Sequence, residues 1–323
     1  MRYVIIGAGA VGGTIGGELF RSGQEVLLVA RGAHHAALRE GGLRLLTPES
    51  VEVLQVPCAD SPVETRDDDV LIVATKSQDT IAALEPWPRH LPVVCAQNGV
   101  ANEAMALRRF ERVYGVCVWL PAAHLEPGVV AAYGWPYAGM LQVGRYPQGV
   151  DDLAERLAAD LAKSRFAAEA VPDVMRWKYG KLLGNLGNAV EALCGHADGT
   201  AELAERARAE GRTVLSAAGL AHTSPQEERD KRGDQVDLRP IGGAPRGGGS
   251  SWQSLARGTG SIEADYLNGE IVLLGRLHGV PAPVNEVLQR EAVRAAREKL
   301  PPGSLPVDRL RELIDERCAA VSR

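Results

Sequence analysis

The sequence lacks paired cysteines, a basic excess and any long apolar run, and each absence removes a class of function. Its five cysteines (Cys58, Cys95, Cys117, Cys194 and Cys318) are scattered, with no CxxC pair and an odd total. That pattern fits reduced thiols, and neither a disulfide framework nor a zinc site. His34, His35, His124 and His196 have no metal-ligand spacing, so no metal is expected. The net charge of -5 leaves no basic footprint for nucleic acid. No window approaches the ~18 apolar residues of a membrane span, so no membrane partner is expected. The run Tyr3–Ile6 is cut short by glycines with no A-x-A cleavage pattern behind it. A cytoplasmic location is the expectation, and no internal repeat is visible.

What is present is an ordinary globular chain. Its 323 residues, 45% hydrophobic and 24% charged, exceed one small core, so two domains are expected. The first half alternates short β-branched runs with helical patterns, the texture of a parallel sheet with crossover helices. Strands are predicted at Tyr3–Ile6, Glu25–Ala30, Leu43–Leu46, Val51–Val56, Asp69–Thr75, Val93–Ala96 and Arg112–Val118. Val129–Tyr133 and Met140–Val143 suggest a β-rich tail to this domain. Helices are predicted at Val11–Ser22 and Asn102–Phe110. From about Gly149 helices dominate: Asp151–Ser164, Asp173–Leu193, Glu202–Gly219, Ser261–Leu277 and Pro283–Lys299. The glycine-rich stretch Pro240–Ser251 reads as a flexible linker or as a loop that closes on ligand.

Between the first strand and the first helix stands Gly7-Ala8-Gly9-Ala10-Val11-Gly12. In such a loop the first glycine makes the tight turn, the second lets the backbone approach a pyrophosphate, and the third lets helix and strand pack closely. Free amides and the helix dipole then face the phosphates. The competing reading is a turn that merely joins strand to helix. An acid about 20 residues on would bond the ribose hydroxyls of NAD. Here the second strand ends Val29-Ala30-Arg31, and a guanidinium suits the 2′-phosphate of NADP(H). A solvated arginine is the alternative.

In the second half, Lys181, Asn185 and Asn188 fall at i, i+4 and i+7, one stripe of a helix. Burying an ammonium between amides on an apolar helix is costly without a ligand, and a lysine can protonate a ketone as hydride arrives. A surface lysine beside capping asparagines is the alternative, and Lys178 is a rival acid, although Lys181 alone has the K-L-x-x-N context. Five features occur in order: the glycine loop, Lys76 after a strand, the turn Gln97-Asn98-Gly99, the Lys181/Asn185 helix, and the run Ser261-Ile262-Glu263-Ala264-Asp265-Tyr266-Leu267-Asn268-Gly269. Together they resemble the 2-dehydropantoate 2-reductase (ketopantoate reductase) family over nearly the whole chain.

The resemblance implies an α/β fold. A Rossmann-type NADP-binding domain would occupy residues 1–168. An all-helical substrate and catalytic domain of the kind at the C-terminus of 6-phosphogluconate dehydrogenase would occupy 169–323. It implies that Lys181 is the general acid and that Glu263 contacts the substrate hydroxyl. Ser251, twelve residues before Glu263, would bind substrate, as would Asn98 and Asn185. Lys76 and Asn98 would stand on the cofactor side with Gly7, Ala8, Gly9, Ala10, Val11, Gly12 and Arg31. The family's second asparagine, eight residues after the lysine, is Ala189 here, with Asn188 beside it. On a continuous helix one residue turns a side chain by about 100°, so whether Asn188 substitutes stays open.

The implied reaction is NADPH-dependent reduction of a 2-oxo acid, with 2-dehydropantoate giving (R)-pantoate in pantothenate and coenzyme A biosynthesis as the leading case. The alternatives are a related NAD(P)-dependent dehydrogenase acting on another 2-oxo or hydroxy acid, and a non-catalytic NADP-binding redox sensor. A homodimer is compatible with the resemblance, and no residue pattern decides it.

Overall fold

The structure, a computed structural model, describes residues 1–321. The chain divides into two compact units, Met1–Lys178 with Ser224–Arg246, and Tyr179–Thr223 with Gly247–Arg323. The boundary expected from sequence lies between residues 168 and 169. That position falls inside the edge strand Phe166–Ala170, which pairs in parallel with Gly139–Arg145 and so keeps the chain in the first unit.

The first unit is built on an eight-stranded sheet. Its order across the sheet is Phe166–Ala170, Gly139–Arg145, Val113–Trp119, Val93–Cys95, Asp69–Val73, Arg2–Ile6, Glu25–Val29 and Cys58–Ala59. All neighbours run parallel except Gly139–Arg145 against Val113–Trp119. Strand residues point alternately to opposite faces. Tyr3 and Ile5 enter one apolar cluster with Ile15, Leu19 and Leu28, while Val4 and Ile6 enter another with Leu71, Leu84 and Trp87. Both faces are covered, which is why these strands read as unbroken apolar runs.

The strands Leu43–Leu46 and Val51–Leu54 leave this sheet. They form a hairpin in a second sheet of order Val51–Leu54, Leu43–Leu46, Val129–Ala132 and Ala122–Ala123. The expected β-rich tail is therefore shared out. Val129–Ala132 joins the small sheet beside Leu43–Leu46, and Gly139–Arg145 joins the large one.

The polar stretch that begins at Ser224 also belongs to the first unit. Its helix Pro225–Arg232 has no buried residue and is fastened by charge: Arg176 to Glu227 at 2.6 Å, and Lys231 to Glu169 at 2.6 Å. The Arg232 guanidinium lies 4.4 Å from the Trp119 ring centre, and that of Arg239 lies 3.3 Å from Trp135. Strand Val236–Leu238 then pairs with Gly134–Pro136.

The second unit is helical. Its principal helices are Asn188–Cys194, Thr200–Ala217, Ser250–Ala256, Asn268–His278, Pro283–Arg297 and Val307–Val321, around a core that includes Leu186, Leu193, Leu203, Val214, Ile271, Leu288, Leu310 and Ile314. The expected helix Asp173–Leu193 is two helices, Val174–Asn185 and Asn188–Cys194, broken at Leu186-Gly187. The break is closely packed. A side chain at Gly187 would come within 3.0 Å of Arg208 and 3.1 Å of Ala204, and Asn268 donates to the Leu186 carbonyl at 3.1 Å. The expected helix Ser261–Leu277 likewise splits into a 3-10 turn, Glu263–Tyr266, and the helix Asn268–His278. Among the described residues no helix is long and apolar enough to cross a membrane.

Candidate active site

The carboxyl ends of four adjacent parallel strands of the first unit carry the residues singled out for the cofactor. In spatial order these ends lead into Arg31, the glycine loop, Lys76 and Asn98. The chain leaves the central strand Arg2–Ile6 first to Glu25–Val29 on one side and later to Asp69–Val73 on the other. Such a switch of direction opens a crevice at the carboxyl edge, where open α/β sheets bind ligands.

The glycine loop stands at that crevice. Gly7 has φ +96°, a conformation that L side chains rarely adopt. A Cβ on Gly12 would fall 2.1 Å from the Gly7 carbonyl oxygen and 2.9 Å from the Ala74 side chain, so strand and helix meet there without room for a methyl. Around Gly9 nothing lies within 4 Å of a Cβ position, which leaves its face open to a ligand. The helix Ala10–Arg21 that follows has no side-chain cap and no acid in its first turn. Beside Gly7, the Thr75 hydroxyl oxygen is buried without a hydrogen-bond partner. An open backbone face at a helix start and an orphaned buried hydroxyl fit a dinucleotide diphosphate and ribose.

Arg31 is exposed and is the N-cap residue of the helix Gly32–Gly41, whose first turn also holds no acid. Three residues on, His34 ties this turn to the glycine loop. Its Nδ1 accepts from the Gly128 amide at 2.9 Å, so Nε2 carries the hydrogen donated to the Ala8 carbonyl at 2.8 Å. Burial holds its pKa below the ordinary histidine value, which keeps the ring neutral. The His124 ring packs on it at 4.3 Å.

Lys76 is half-buried and begins the 3-10 turn Ser77–Asp79. Asn98 is half-buried in the turn Gln97-Asn98-Gly99, where Gly99 has φ +78°. A buried polar lattice lies beneath both. Gln97 donates to the Thr75 carbonyl at 3.0 Å and to the Thr80 hydroxyl at 2.8 Å. Asn102 donates to the Asn98 carbonyl at 3.0 Å and to the Ser77 hydroxyl at 3.1 Å, and accepts from Thr80 at 2.8 Å. Lys178 donates to the Gln97 carbonyl at 3.0 Å and pairs with the carboxylate of Glu103, which is wholly buried. Lys178, the rival candidate for the acid, thus has its ammonium engaged inside the first unit.

In the second unit the helix stripe appears as a contact. Lys181 donates to the Asn185 side-chain oxygen at 3.2 Å, as an i, i+4 pair on a helix should. Lys181 is half-buried and Asn185 is 5% exposed. Asn188 does not continue the stripe, because the helix breaks between it and Asn185, and the rotation argument for an unbroken helix lapses there. It begins the helix Asn188–Cys194, with its side-chain oxygen 3.7 Å from a Cβ position on Gly249, whereas Ala189 is buried.

Glu191, one turn on, accepts the Gly249 amide at 3.1 Å and so fixes the entry to the helix Ser250–Ala256, on which Ser251 is buried. Gly247 and Gly248 lie against the Trp252 indole, where a Cβ on Gly248 would come within 2.5 Å. This part of the glycine stretch is packed backbone, while Gly242 and Gly243 form a tight turn with positive φ in the first unit. Glu263 is half-buried at the head of its 3-10 turn, and its charge acts on Arg257, whose own pKa is lowered by burial.

The network of Gln97, Asn102, Glu103 and Lys178, the clamp by Glu191 and the bridge by His34 were not foreseen. No local pattern marks them. Among the described residues, no group of three or more His, Cys, Asp or Glu side chains is placed to hold a metal ion.

Comparison with known proteins fits both units. Residues 3–148 match the family model "Ketopantoate reductase PanE/ApbA", and residues 173–296 match "Ketopantoate reductase PanE/ApbA C terminal". The chain is similar to a 2-dehydropantoate 2-reductase of Halobacterium salinarum, 30% identical over 312 residues, covering 92% of this chain and 99% of that one. Among solved structures it resembles a PanE/ApbA family ketopantoate reductase from Ralstonia eutropha, with TM-score 0.76, 29% identity, and coverage of 93% and 99%. It shares its fold with a D-mandelate dehydrogenase solved with NADH and anilino(oxo)acetate, with TM-score 0.77, 24% identity, and coverage of 93% and 99%. The chain belongs to the ketopantoate reductase family.

Proposed function

We propose that this member of the ketopantoate reductase family reduces a 2-oxo acid to its 2-hydroxy acid with NADPH, with 2-dehydropantoate giving (R)-pantoate as the first substrate. The step serves pantothenate and coenzyme A biosynthesis. The observation that carries the reading is the Lys181–Asn185 pair at 3.2 Å on a helix whose Leu182 and Leu183 are core residues. A dinucleotide-binding sheet alone serves many reactions, whereas a half-buried ammonium oriented by an amide suits protonation of a ketone.

When bound, the dinucleotide supplies hydride to the carbonyl carbon. Lys181 then gives its proton to the carbonyl oxygen as negative charge develops there, and Asn185 holds the ammonium and bonds the substrate's polar groups. Glu263 receives the substrate hydroxyl, and Ser251, Asn98 and Asn188 complete the polar contacts. The backbone of Gly7, Ala8, Gly9, Ala10, Val11 and Gly12 holds the diphosphate, and Lys76 stands on the same side. Arg31 supports NADP over NAD, because its guanidinium is exposed at a helix start and no acid stands in the first turn to bond a ribose hydroxyl or repel a 2′-phosphate.

The fold does not choose the substrate, since a D-mandelate dehydrogenase shares it. Steady-state rates with NADPH and NADH across 2-dehydropantoate and other branched or aromatic 2-oxo acids test the reading. Turnover of another acid with none of 2-dehydropantoate would replace the substrate. Tight NADPH binding with no turnover of any acid would replace the enzyme with a sensor.

A further inference from the structure

We propose that Lys178 is a positioning residue, which fixes the Gln97-Asn98-Gly99 turn by holding its first carbonyl. The inference rests on the reading that Asn98 meets the substrate end of the site. Lys178 is 3% exposed and its partner Glu103 is wholly buried. A buried ion pair is a weak source of stability, because desolvation offsets most of the attraction. What the pair supplies is direction. The ammonium is shared between Glu103, at the start of the helix Asn102–Leu107, and the Gln97 carbonyl at 3.0 Å.

The neighbouring carbonyl is held as well, since Asn102 donates to Asn98 at 3.0 Å. The Gln97 side chain is anchored in turn on Thr75 and Thr80 at 3.0 and 2.8 Å. Two successive peptide carbonyls are therefore gripped by buried side chains from the helices on either side. Gly99, at φ +78°, lets the chain turn away from them. The Asn98 backbone is set before any ligand arrives. Lys178 brings a cation to this lattice, and its neutral isostere cannot donate to Gln97.

A double-mutant cycle separates positioning from mere stability. Lys178→Met and Glu103→Gln each leave a buried group unpaired and lower the melting temperature. The double variant removes both charges and regains most of that loss. Its kcat for the preferred 2-oxo acid stays at least tenfold below wild type. The pH at which kcat/KM falls on the alkaline side does not move, because Lys181 remains the acid. Hydrogen exchange supplies a readout without substrate: the amides of residues 97–102 exchange at least tenfold faster in the double variant, with the strand Arg2–Ile6 unchanged. Wild-type kcat together with wild-type exchange in the double variant would overturn the proposal. Loss of the alkaline limb in Lys178→Met would overturn it too, by making Lys178 the acid. If the wild type reduces no 2-oxo acid, the functional reading fails and the exchange measurement alone decides the role of Lys178.

Discussion

Replacing Gly9 and Gly12 by alanine, one at a time, separates two roles that a glycine loop combines. At Gly12 the new methyl would lie 2.1 Å from the Gly7 carbonyl oxygen, with Ala74 at 2.9 Å and Ile5 at 3.0 Å. The nearest atom is backbone, so strand and helix must part. The cost belongs at the upper end of overpacking, about 3 kcal/mol. At roughly 2–4 °C per kcal/mol for a domain of this size, melting falls by about 6–12 °C. At Gly9 a methyl meets nothing within 4 Å, and φ is −72°, a value any residue adopts. The weaker N-cap preference of alanine, about 0.5–1 kcal/mol, is offset by the smaller entropy of its unfolded chain. Melting should therefore shift by less than about 2 °C.

Binding responds in the other order. The Gly9→Ala methyl occupies the face that a diphosphate must approach. Loss of about 3 kcal/mol of charge-assisted hydrogen bonding raises Kd roughly 10²-fold. Thermal unfolding without ligand and NADPH fluorescence titration measure the two effects. A Gly9→Ala protein that melts normally and binds NADPH as the wild type does would refute the loop as the diphosphate site. A Gly12→Ala protein with unchanged melting would refute the close packing.

Arg31→Ala should raise the KM for NADPH by about 10- to 10²-fold and that for NADH far less, the scale of a lost charge-assisted contact; equal changes would remove the 2′-phosphate argument. Lys181→Ala should lower kcat by about 10²-fold or more, and wild-type turnover would show that another group is the acid. The pKa of His34 is depressed, so its contribution is present above the ordinary histidine value of about 6.5 and is lost as pH falls through the lower folded value. Protonation puts a hydrogen on Nδ1 against the Gly128 amide, so both melting temperature and NADH affinity should decline below that pH. NADH is the probe because it has no 2′-phosphate to titrate. A melting temperature and an NADH affinity that both stay flat as the pH is lowered from above about 6.5 to the onset of acid unfolding would count against the bridge to Ala8.

Much of the first unit was legible because its signals are local. The apolar run Tyr3–Ile6, the glycines at 7, 9 and 12, and the arginine ending the next strand are all signals carried within a few residues. The spacing of Lys181 and Asn185 was legible for the same reason, and the 3.2 Å contact follows from helix geometry. Asn188 leaves the Lys181–Asn185 stripe at the helix break Leu186-Gly187, where the contacts come from outside the segment, from Arg208, Ala204 and Asn268. The return of Ser224–Arg246 to the first unit rests on Glu169, Trp119, Trp135 and Arg176, each more than 50 positions away in sequence. No window of sequence could contain it.

The contrast between Lys178 and Lys181 draws the same line. By itself the sequence determined a dinucleotide loop, a parallel sheet and a lysine set four residues before an asparagine, since each depends on backbone conformation over short range. It favours Lys181 over Lys178 by the K-L-x-x-N spacing alone, and says nothing of what surrounds either ammonium. The tertiary structure decided that Lys178 is buried, by bringing it to Gln97 and Glu103 across 81 and 75 positions of chain. Whether a charge is desolvated and paired depends on which distant residues surround it, and only the packed fold sets that.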